Sequence, residues 1–308
     1  MTLLKIENLK TTFYTREGDV KAVNRVDLMI EEGEKLALIG ETGSGKSVLG
    51  LSIMGLLPDN ARVKGRIFFK GEDMLERNPE EMRKIRGRRI AYIPQNPGTS
   101  LNPIMKVGQQ VKEAVINSMN IKKKRAGERV LELFKSVKLS EPEKLINQYP
   151  HQLSGGMKQR VLFSMGMAGS PELLIADEPA KGLDAPLKAQ TIKLLGRISS
   201  KTSMLLITHD LKATRICNKV AVMYAGEIIE YGRIEEIFEN PRHPYTQGLV
   251  RSLPEKGFIP IEGVSPSLIS LPQGCRFYPR CQIVSIKCRN EHPGFKTASG
   301  RFWRCFNA

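Results

Sequence analysis

The sequence predicts an α/β fold, and three of its features carry that prediction. Short apolar runs at residues 35–39 and 173–176 are each followed by turn or polar residues, as in buried parallel strands. A glycine-rich turn follows the first run and leads into helix-compatible sequence. Apolar residues with helical spacing, such as Val107, Val111 and Val115, lie between the strands. Strands that alternate with helices are typical of an α/β core.

The chain is predicted to begin with strands and to continue into a mostly helical segment. The strands are expected at residues 3–8, 22–30, 35–39, 66–70, 90–93, 173–176 and 204–207. A helix is expected to begin near Lys46, and residues 100–165 are expected to be mostly helical. After about Glu255 the composition changes to Pro, Gly, Cys and Arg. We therefore predict one large domain over residues 1–255 and a small cysteine-rich module over residues 256–308.

The charge balance of the chain is strongly basic, with 48 Lys and Arg residues against 32 Asp and Glu residues. A formal charge of +16 indicates contact with an anionic partner, which can be nucleic acid, lipid or a phosphate ligand. The chain has no apolar stretch long enough to span a bilayer and no secretion signal at its start, so we expect it in the cytoplasm. Its five cysteines are then not expected to form disulfides.

A phosphate-binding loop follows the strand at residues 35–39. The sequence at residues 40–47 fits the pattern G-x-x-x-x-G-K-[ST] in full. The residues expected to bind the nucleotide are Gly40, Glu41, Thr42, Gly43, Ser44, Gly45, Lys46 and Ser47. Glycines let backbone N–H groups surround phosphates, the lysine reaches the β- and γ-phosphates, and the serine hydroxyl binds Mg²⁺. A chance glycine turn is the alternative, and the flanking strand and helix argue against it.

Two carboxylates end a second apolar strand. Asp177 and Glu178 follow residues 173–176, and open α/β sheets bind ligands at the carboxyl ends of their strands. Asp177 is expected to hold Mg²⁺, and Glu178 is expected to orient or deprotonate the attacking water. The alternative is that the acid pair only caps the next turn, and the complete phosphate loop in the same chain argues against it.

A second anion-binding helix start lies between these two motifs. Residues 153–160 contain Ser154 as a helix cap, two glycines and then a helix. One nucleotide cannot easily contact both this motif and the phosphate loop of the same chain, because residues 100–150 separate them. We therefore expect the motif to serve the nucleotide of a partner subunit.

The ordered motifs resemble those of the nucleotide-binding subunits of ABC transporters. Besides the phosphate loop and the carboxylate pair, the chain contains a Q-loop at residues 92–95, a signature at residues 153–159, a D-loop at residues 182–184 and a switch histidine, His209. The resemblance covers residues 1 to about 235. It implies a P-loop ATPase with a RecA-like core, an antiparallel β subdomain and a helical insert at about residues 96–165.

The resemblance also implies a head-to-tail pair of subunits that encloses two ATP molecules. The residues that would contact the partner's ATP are Ser154, Gly155, Gly156, Gln159 and Asp184. Phe13 matches the aromatic position beneath the adenine ring. Tyr14 is its competitor, and an ordinary strand-edge aromatic is the alternative reading of Phe13.

Three residues are candidates for catalysis on the strength of the same resemblance. Glu178 would act on the attacking water, Gln95 would sense Mg²⁺ and that water, and His209 would contact the γ-phosphate. The Mg²⁺ ligands would be Ser47, Gln95 and Asp177. ATP would close the pair of subunits and hydrolysis would open it, which would drive a membrane permease.

Four segments are similar to the dipeptide and oligopeptide importer branch of this family, which also includes nickel importers. These segments are residues 94–103, 149–160, 240–247 and 279–281. The similarity implies that the chain powers peptide import together with a second, different ATPase subunit, two transmembrane permease subunits and an extracytoplasmic solute-binding protein. It would then be a peripheral protein at the cytoplasmic face of the cell membrane. An importer of nickel or another small solute is the alternative within the branch.

A soluble ABC-type ATPase that acts on nucleic acid is the alternative outside transport, and the charge of +16 is its main support. Members of that class typically fuse two ATPase cores or insert long coiled coils, and this chain has neither. We therefore expect no nucleic-acid partner. The basic run at residues 122–125 is expected to be a solvated surface, although anionic lipid is a further candidate for it.

Four cysteines lie close together near the end of the chain. Cys275, Cys281, Cys288 and Cys305 occupy a Gly- and Pro-rich segment too small to build its own core, which suggests a metal staple. By spacing alone a structural zinc site is the default, although C-x2-C pairs are absent. An iron–sulfur cluster also uses four thiolates, and free or disulfide-bonded thiols are the third alternative. The resemblance favours a [4Fe–4S] cluster, since one of the paired ATPases in this branch can carry one on such a tail. Cys217 is expected to be a buried apolar residue on a helix.

Three positions depart from the family pattern. Lys181 and Gly182 stand in the D-loop where relatives have small or hydroxylated residues, a departure that bears on the geometry of that loop. Gln282 stands where relatives usually have proline after the second cysteine of the tail. Because Asp184 and all four cysteines are present, we expect the cross-subunit contact and the metal site to be kept.

Overall fold

The computed structural model describes all 308 residues, which form two compact units. The first unit consists of Met1, Glu31–Glu34 and Glu76–Leu206. The second unit consists of Thr2–Ile30, Lys35–Leu75 and Ile207–Ala308. Each unit combines helices with strands, as the predicted α/β fold requires.

The second unit begins with an antiparallel sheet of four strands. Its strands are β1 (Thr2–Thr15), β2 (Gly18–Glu31), β4 (Ala61–Phe69) and β5 (Glu72–Asp73), in the order β2-β1-β4-β5. β1 pairs with β4 from Leu4 opposite Phe69 to Phe13 opposite Ala61. Both β1 and β2 extend well beyond the strands predicted from their apolar residues, because pairing with a neighbour continues past the buried face.

A mixed sheet completes the second unit and carries the phosphate loop. β3 (Lys35–Ile39) runs parallel to β9 (Lys219–Tyr224), which pairs antiparallel with β10 (Glu227–Arg233). The helices of this unit are α1 (Lys46–Met54), α9 (Ile234–Glu239), α10 (Pro244–Arg251) and α11 (Ile286–Asn290). The strand predicted at residues 35–39 and the helix predicted from Lys46 are confirmed. Four residues of β3 are buried, as expected of a strand covered on both faces.

The first unit contains β6 (Ile90–Ile93), β7 (Leu173–Asp177) and β8 (Ser203–Thr208), in the order β8-β7-β6. The last two residues of β8 belong to the second unit. β6 and β7 are parallel, with Ile90 opposite Leu173 and Ile93 opposite Ala176. Strands at or within one residue of these bounds were predicted.

Helices occupy most of the remaining first unit. They are α2 (Pro79–Ile85), α3 (Pro97–Ser100), α4 (Val107–Met119), α5 (Lys123–Ser136), α6 (Pro142–Leu145), α7 (Gly155–Gly166) and α8 (Ala185–Ile198). The mostly helical segment predicted for residues 100–165 is confirmed. Val107, Val111 and Val115 lie on one face of α4 and are fully buried, which is the periodicity that predicted the helix.

The tail, residues 256–308, packs within the second unit. Two short strands, β11 (Lys296–Ala298) and β12 (Arg301–Trp303), pair with each other, and β12 also pairs antiparallel with β10. The rings of Tyr231 and Phe302, on these two neighbouring strands, stack with centroids 4.7 Å apart. The domain boundary predicted after residue 255 stays a prediction.

Cys217 is buried, as predicted, but it does not lie within a helix. The turn of 3₁₀ helix before it, Leu211–Ile216, ends one residue earlier. Burial raises the pKa of its thiol to about 12. None of the helices combines the length and the apolar character that a membrane span requires.

Candidate active site

The phosphate loop joins β3 to α1 and folds around its own lysine. Lys46 Nζ donates hydrogen bonds to the carbonyl oxygens of Gly40, at 2.7 Å, and Glu41, at 2.8 Å. Gly40 has a φ of 151°, and a Cβ there would lie 2.1 Å from the carbonyl oxygen of Met223, so only glycine fits. No side chain caps α1 at Gly45, so the start of the helix offers backbone N–H groups to an anion.

Glu41 anchors the phosphate loop within the second unit. Its backbone N–H donates to Tyr245 Oη at 2.9 Å, and its carboxylate accepts hydrogen bonds from Arg280, at 2.9 and 3.0 Å, and from Ser265. Arg280 was not among the predicted site residues. The two residues are 239 positions apart, and no local pattern connects them.

The predicted Mg²⁺ ligand Asp177 ends β7 and is held by a neighbouring tyrosine. Tyr92 Oη donates a hydrogen bond of 2.6 Å to Asp177 Oδ2. Burial, together with this bond to a carboxylate, raises the pKa of Tyr92 and keeps it a donor. Tyr92 was not among the predicted site residues. Tyr92 lies opposite Ile175 on the neighbouring strand, two residues before Asp177. This pairing of β6 with β7 is the signal that could have identified it.

Glu178, the predicted catalytic carboxylate, is buried and adopts an unusual backbone conformation. Its φ is 46°, in the left-handed region that non-glycine residues rarely occupy. Strained backbone of this kind costs about 1–3 kcal/mol and is concentrated at functional sites. The conformation therefore agrees with a role for Glu178 beyond capping the turn.

Gln95 follows β6 by two residues and is half-buried. It lies in the same unit as Asp177 and Glu178, with Asn96 next in the chain starting α3. Its predicted contacts with Mg²⁺ and water stay a prediction.

The signature motif forms the start of α7. Ser154 is the helix cap, with its Oγ accepting a hydrogen bond from the backbone N–H of Met157 at 3.3 Å. Ser154 and Gly155 are exposed, and no atom of the chain lies within 4 Å of the place that a Cβ would take at Gly156. Gln159 is only 2% exposed, so the accessible part of the motif ends before it.

The D-loop forms a hydrogen-bonded turn that contains the two departures from the family pattern. Its turn is closed by a hydrogen bond of 3.0 Å from the backbone N–H of Lys181 to the carbonyl of Glu178. Gly182 has a φ of 76°, which glycine adopts without strain, and Lys181 is exposed. Asp184 caps α8 through a 2.9 Å bond from the Leu187 N–H. The turn thus accommodates both unusual residues.

The two remaining predicted residues lie in the second unit. His209 is exposed just after β8, between Thr208 and Asp210, whose backbone N–H donates to Thr208 Oγ1 at 3.0 Å. Phe13 is half-buried on β1, whereas Tyr14 is 50% exposed. The structure thus places these residues without testing their contacts with a nucleotide.

The four cysteines of the tail line a single small cavity, together with His243 and Phe277. The backbone N–H of Cys275 donates to the carbonyl of Cys288 at 2.8 Å. Burial raises the pKa of Cys275 to about 12, and the charges of the other three thiolates add to the effect. The chain contains no group of three or more His, Cys, Asp or Glu side chains arranged to hold a single metal ion. The predicted metal centre is therefore not confirmed.

Comparison with known families assigns this arrangement of motifs. The model of the ABC transporter family matches residues 23–181, and that of the oligopeptide/dipeptide transporter C-terminal region matches residues 229–288. The chain belongs to the ABC transporter family. Within it, the chain is an ATP-hydrolysing subunit of the oligopeptide and dipeptide transporter branch.

Individual relatives are similar to this chain over nearly its whole length. The oligopeptide transport ATP-binding protein AppD of Bacillus subtilis is 42% identical, over 99% of this chain and 96% of its own. The oligopeptide transport ATP-binding protein OppD of Escherichia coli is 40% identical, over 99% of this chain and 93% of its own length. The dipeptide transport ATP-binding protein DppD of Lactococcus lactis is 42% identical, over 97% of this chain and 89% of its own length.

Solved structures share the fold of about three quarters of the chain. The ATP-binding cassette MJ0796, described as a dimer in a post-hydrolysis state with ADP and Pi, has a TM-score of 0.67 at 25% identity. The match covers 75% of this chain and 99% of that one. CbiO1 from Clostridium perfringens, part of the transporter complex cbiONQ, has a TM-score of 0.65 at 28% identity, over 78% and 91%.

Proposed function

We propose that this subunit hydrolyses ATP to power the import of dipeptides or oligopeptides through a membrane permease. The observation that carries the proposal is the full-length similarity to peptide-transport ATPases, which includes the C-terminal region as well as the nucleotide motifs. The partners are two permease subunits and a solute-binding protein. The subunit works as a peripheral protein at the cytoplasmic face of the membrane.

The nucleotide is bound by the phosphate loop. Lys46 and the N-terminal N–H groups of α1 hold its phosphates, and Phe13 contacts the adenine. Ser47, Gln95 and Asp177 would hold Mg²⁺, which would supply positive charge beside the phosphates. The buried carboxylate of Asp177, oriented by the Tyr92 hydroxyl, fits this role.

Hydrolysis depends on residues that follow the strands β6, β7 and β8. Glu178 accepts a proton from the attacking water, and the backbone strain at this residue supports its assignment. Gln95 orients the water, and His209 donates a hydrogen bond to the γ-phosphate. These roles require that each group reach the phosphate within hydrogen-bond distance.

A second ATPase subunit completes each site. The start of α7, where Ser154 and Gly155 are exposed and a Cβ at Gly156 would meet open space, supports a contact with the partner's ATP. Asp184 completes the contact set, whereas Gln159, which the sequence also predicted for it, is buried and lies outside it. The similar cassette MJ0796 is described as a dimer. We propose a heterodimer, as the importer branch often pairs two different ATPases.

The tail holds a [4Fe–4S] cluster in this proposal, through Cys275, Cys281, Cys288 and Cys305. All four thiols line one cavity, which fits a shared prosthetic group. No three of them are placed to hold a single metal ion, which is the arrangement that a zinc site requires. In a cluster each thiolate binds a different iron, so the sulfurs lie further apart than around one ion. Bound iron would also offset the repulsion that raises the pKa of Cys275.

Anaerobic purification of the full chain tests the cluster. We expect brown protein with about four iron and four sulfide ions per chain, and loss of both in Cys288→Ser. Cys217→Ser, which alters a buried thiol outside the cavity, is the matched control and should keep them. Colourless protein with one zinc ion per chain would contradict the cluster and leave the ATPase assignment intact.

Transport itself is tested in proteoliposomes that contain the permease, this subunit and its ATPase partner. Labelled dipeptide, labelled pentapeptide and Ni²⁺ are supplied separately with the binding protein. We expect MgATP-dependent uptake of at least one peptide and none of Ni²⁺. Uptake of Ni²⁺ but of neither peptide would contradict peptide import and identify the metal ion as the transported solute.

A further inference from the structure

We propose that Arg280, in the cysteine-rich tail, is a positioning residue for the phosphate loop, and that the tail thereby sets the affinity for ATP. This rests on the ATPase function of the family and does not require the iron–sulfur cluster. The ion pair with Glu41 joins the two regions directly. A residue next to a cysteine of the tail is therefore part of the support of the nucleotide site.

The contact between Arg280 and Glu41 has the geometry of a strong ion pair. Arg280 Nη1 lies 2.9 Å from Glu41 Oε2, and Nη2 lies 3.0 Å from Oε1, so the guanidinium binds the carboxylate through two parallel bonds. The Arg280 side chain is only 5% exposed, and that of Glu41 is 29% exposed. Solvent therefore screens this pair far less than a surface pair.

The guanidinium is held from several sides, so it can act as a fixed anchor. Its Nε donates to the carbonyl of Glu262 at 2.8 Å, and Nη2 donates to the carbonyl of Ile261 at 3.3 Å. It lies over the rings of Tyr224 and Phe277, each 5.9 Å from the centroid. Burial lowers the pKa of Arg280, but its hydrogen bonds to Glu41 and Tyr224 outweigh this and raise it overall.

The contact reaches the phosphate loop through the backbone of Glu41. Its carbonyl accepts a hydrogen bond from Lys46 Nζ, and its N–H donates to Tyr245. A fixed Glu41 side chain therefore fixes the peptide groups that place the phosphate-binding lysine. Only one residue of the loop, Gly40, precedes it, and that position has no side chain to make such a contact.

Arg280 also neutralises a negative charge in the loop. Without it, the Glu41 carboxylate would face the triphosphate with no cation from the tail, and two like charges at close range repel. Loss of Arg280 should therefore weaken ATP binding in two ways, through a looser loop and through repulsion. Replacing Glu41 by glutamine removes the repulsion only.

Arg280 is connected to the thiol cluster as well. Cys281 follows it directly, and Phe277, which lines the cysteine cavity, packs against Tyr224 and Tyr245 with centroids 5.3 and 5.5 Å apart. Tyr245 is the same residue that accepts the Glu41 N–H bond. Aromatic packing and the ion pair thus link the cavity to the loop along two routes.

The test is the affinity of the purified full chain for MgATP, measured by displacement of a fluorescent ATP analogue. We expect Arg280→Ala to weaken binding about tenfold, which corresponds to about 1.4 kcal/mol. Arg280→Lys keeps the charge but not the paired bonds and should lie between wild type and Arg280→Ala. Arg289→Ala, an exposed arginine of the same tail, is the matched control and should bind as wild type.

The double variant Arg280→Ala/Glu41→Gln shows whether weaker MgATP binding in Arg280→Ala comes from the lost ion pair with Glu41 or from a general loss of tail structure. We expect it to bind MgATP more tightly than Arg280→Ala, because the uncompensated carboxylate is gone. Wild-type affinity in Arg280→Ala, or a double variant no better than Arg280→Ala, would overturn the proposal. If Arg280→Ala does not fold, as judged by circular dichroism, Arg280→Lys decides: wild-type affinity in that variant overturns the proposal, and weakened binding at an unchanged melting temperature supports it.

Discussion

The phosphate loop and the cysteine-rich tail are held in place by different forces, although they meet at one ion pair. The loop takes its shape from residues within it: glycines that adopt conformations closed to other residues, and a lysine bonded to the loop's own carbonyls. The tail depends on charged pairs with distant strands. Arg276 binds Glu227 at 2.9 Å, and Arg301 binds Glu230, which is fully buried.

This difference shows which structural features can be predicted from residues adjacent in sequence and which cannot. A glycine-rich loop is encoded by residues that are adjacent in sequence, so its pattern is visible before the fold is known. An ion pair between residues far apart in sequence is encoded by the fold. Changes at tail pairs that do not touch the loop, such as Arg301 with Glu230, should therefore act mainly on stability. Changes in the loop, in the carboxylates and at Arg280, which contacts the loop, should act mainly on ATP binding and turnover.

The largest expected effect is on the stability of the tail. Arg301→Ala removes the partner of Glu230 and leaves a carboxylate without its cation in the interior, which should lower the free energy of unfolding by about 3–5 kcal/mol. Urea denaturation measures it. Lys287→Ala breaks an exposed pair with Glu291 in the same tail and should cost at most about 1 kcal/mol. Equal costs for both variants would contradict the distinction between buried and exposed pairs.

Turnover should depend most strongly on Glu178. Glu178→Gln keeps the size of the side chain but removes the base, so we expect ATP hydrolysis in the assembled complex to fall by at least about 100-fold. Binding of MgATP should be retained. Hydrolysis at the wild-type rate would remove Glu178 from the mechanism and return the carboxylate to a capping role.

Gly40→Ala tests the backbone of the loop. A Cβ at this position would lie 2.1 Å from the carbonyl oxygen of Met223, so we expect a loss of stability of about 2–3 kcal/mol together with weaker ATP binding. Gly43→Ala also places alanine at a positive φ, 81°, but meets no atom within 4 Å, and should cost only about 1 kcal/mol. Unchanged stability and ATP binding in Gly40→Ala would show that the loop can shift to make room for the methyl group.

The smallest effect is expected at Tyr92. Tyr92→Phe removes the hydroxyl that orients Asp177, so about tenfold more Mg²⁺ should be needed for half-maximal hydrolysis. Activity at saturating Mg²⁺ should recover, because the carboxylate itself is unchanged. An unchanged Mg²⁺ requirement would mean that the 2.6 Å bond does not influence the ion.

Much of the fold could be predicted because its signals are local. The strands at residues 35–39 and 90–93 are apolar runs bounded by turn residues, and they form at those positions. The ends of β1 and β2 were not predicted, since pairing extends them beyond their apolar residues. The three-residue strand β12 has no sequence pattern, and β10 stabilises it.

The site divides in the same way. The phosphate loop and the carboxylate pair follow spacing rules that the sequence displays. Tyr92 and Arg280 act through hydrogen bonds whose partners are 85 and 239 residues away, and they become visible only in the structure. Residues that support a site from a distance are thus the part that a single sequence leaves out.

The most direct test of the assignment is ATP-driven peptide uptake by the reconstituted complex. Proteoliposomes that contain this subunit, its ATPase partner and the permease would receive labelled peptide, the binding protein and either MgATP or a non-hydrolysable analogue. We predict accumulation of peptide with MgATP and none with the analogue. Equal peptide levels under both conditions would contradict the central claim that hydrolysis by this subunit powers import.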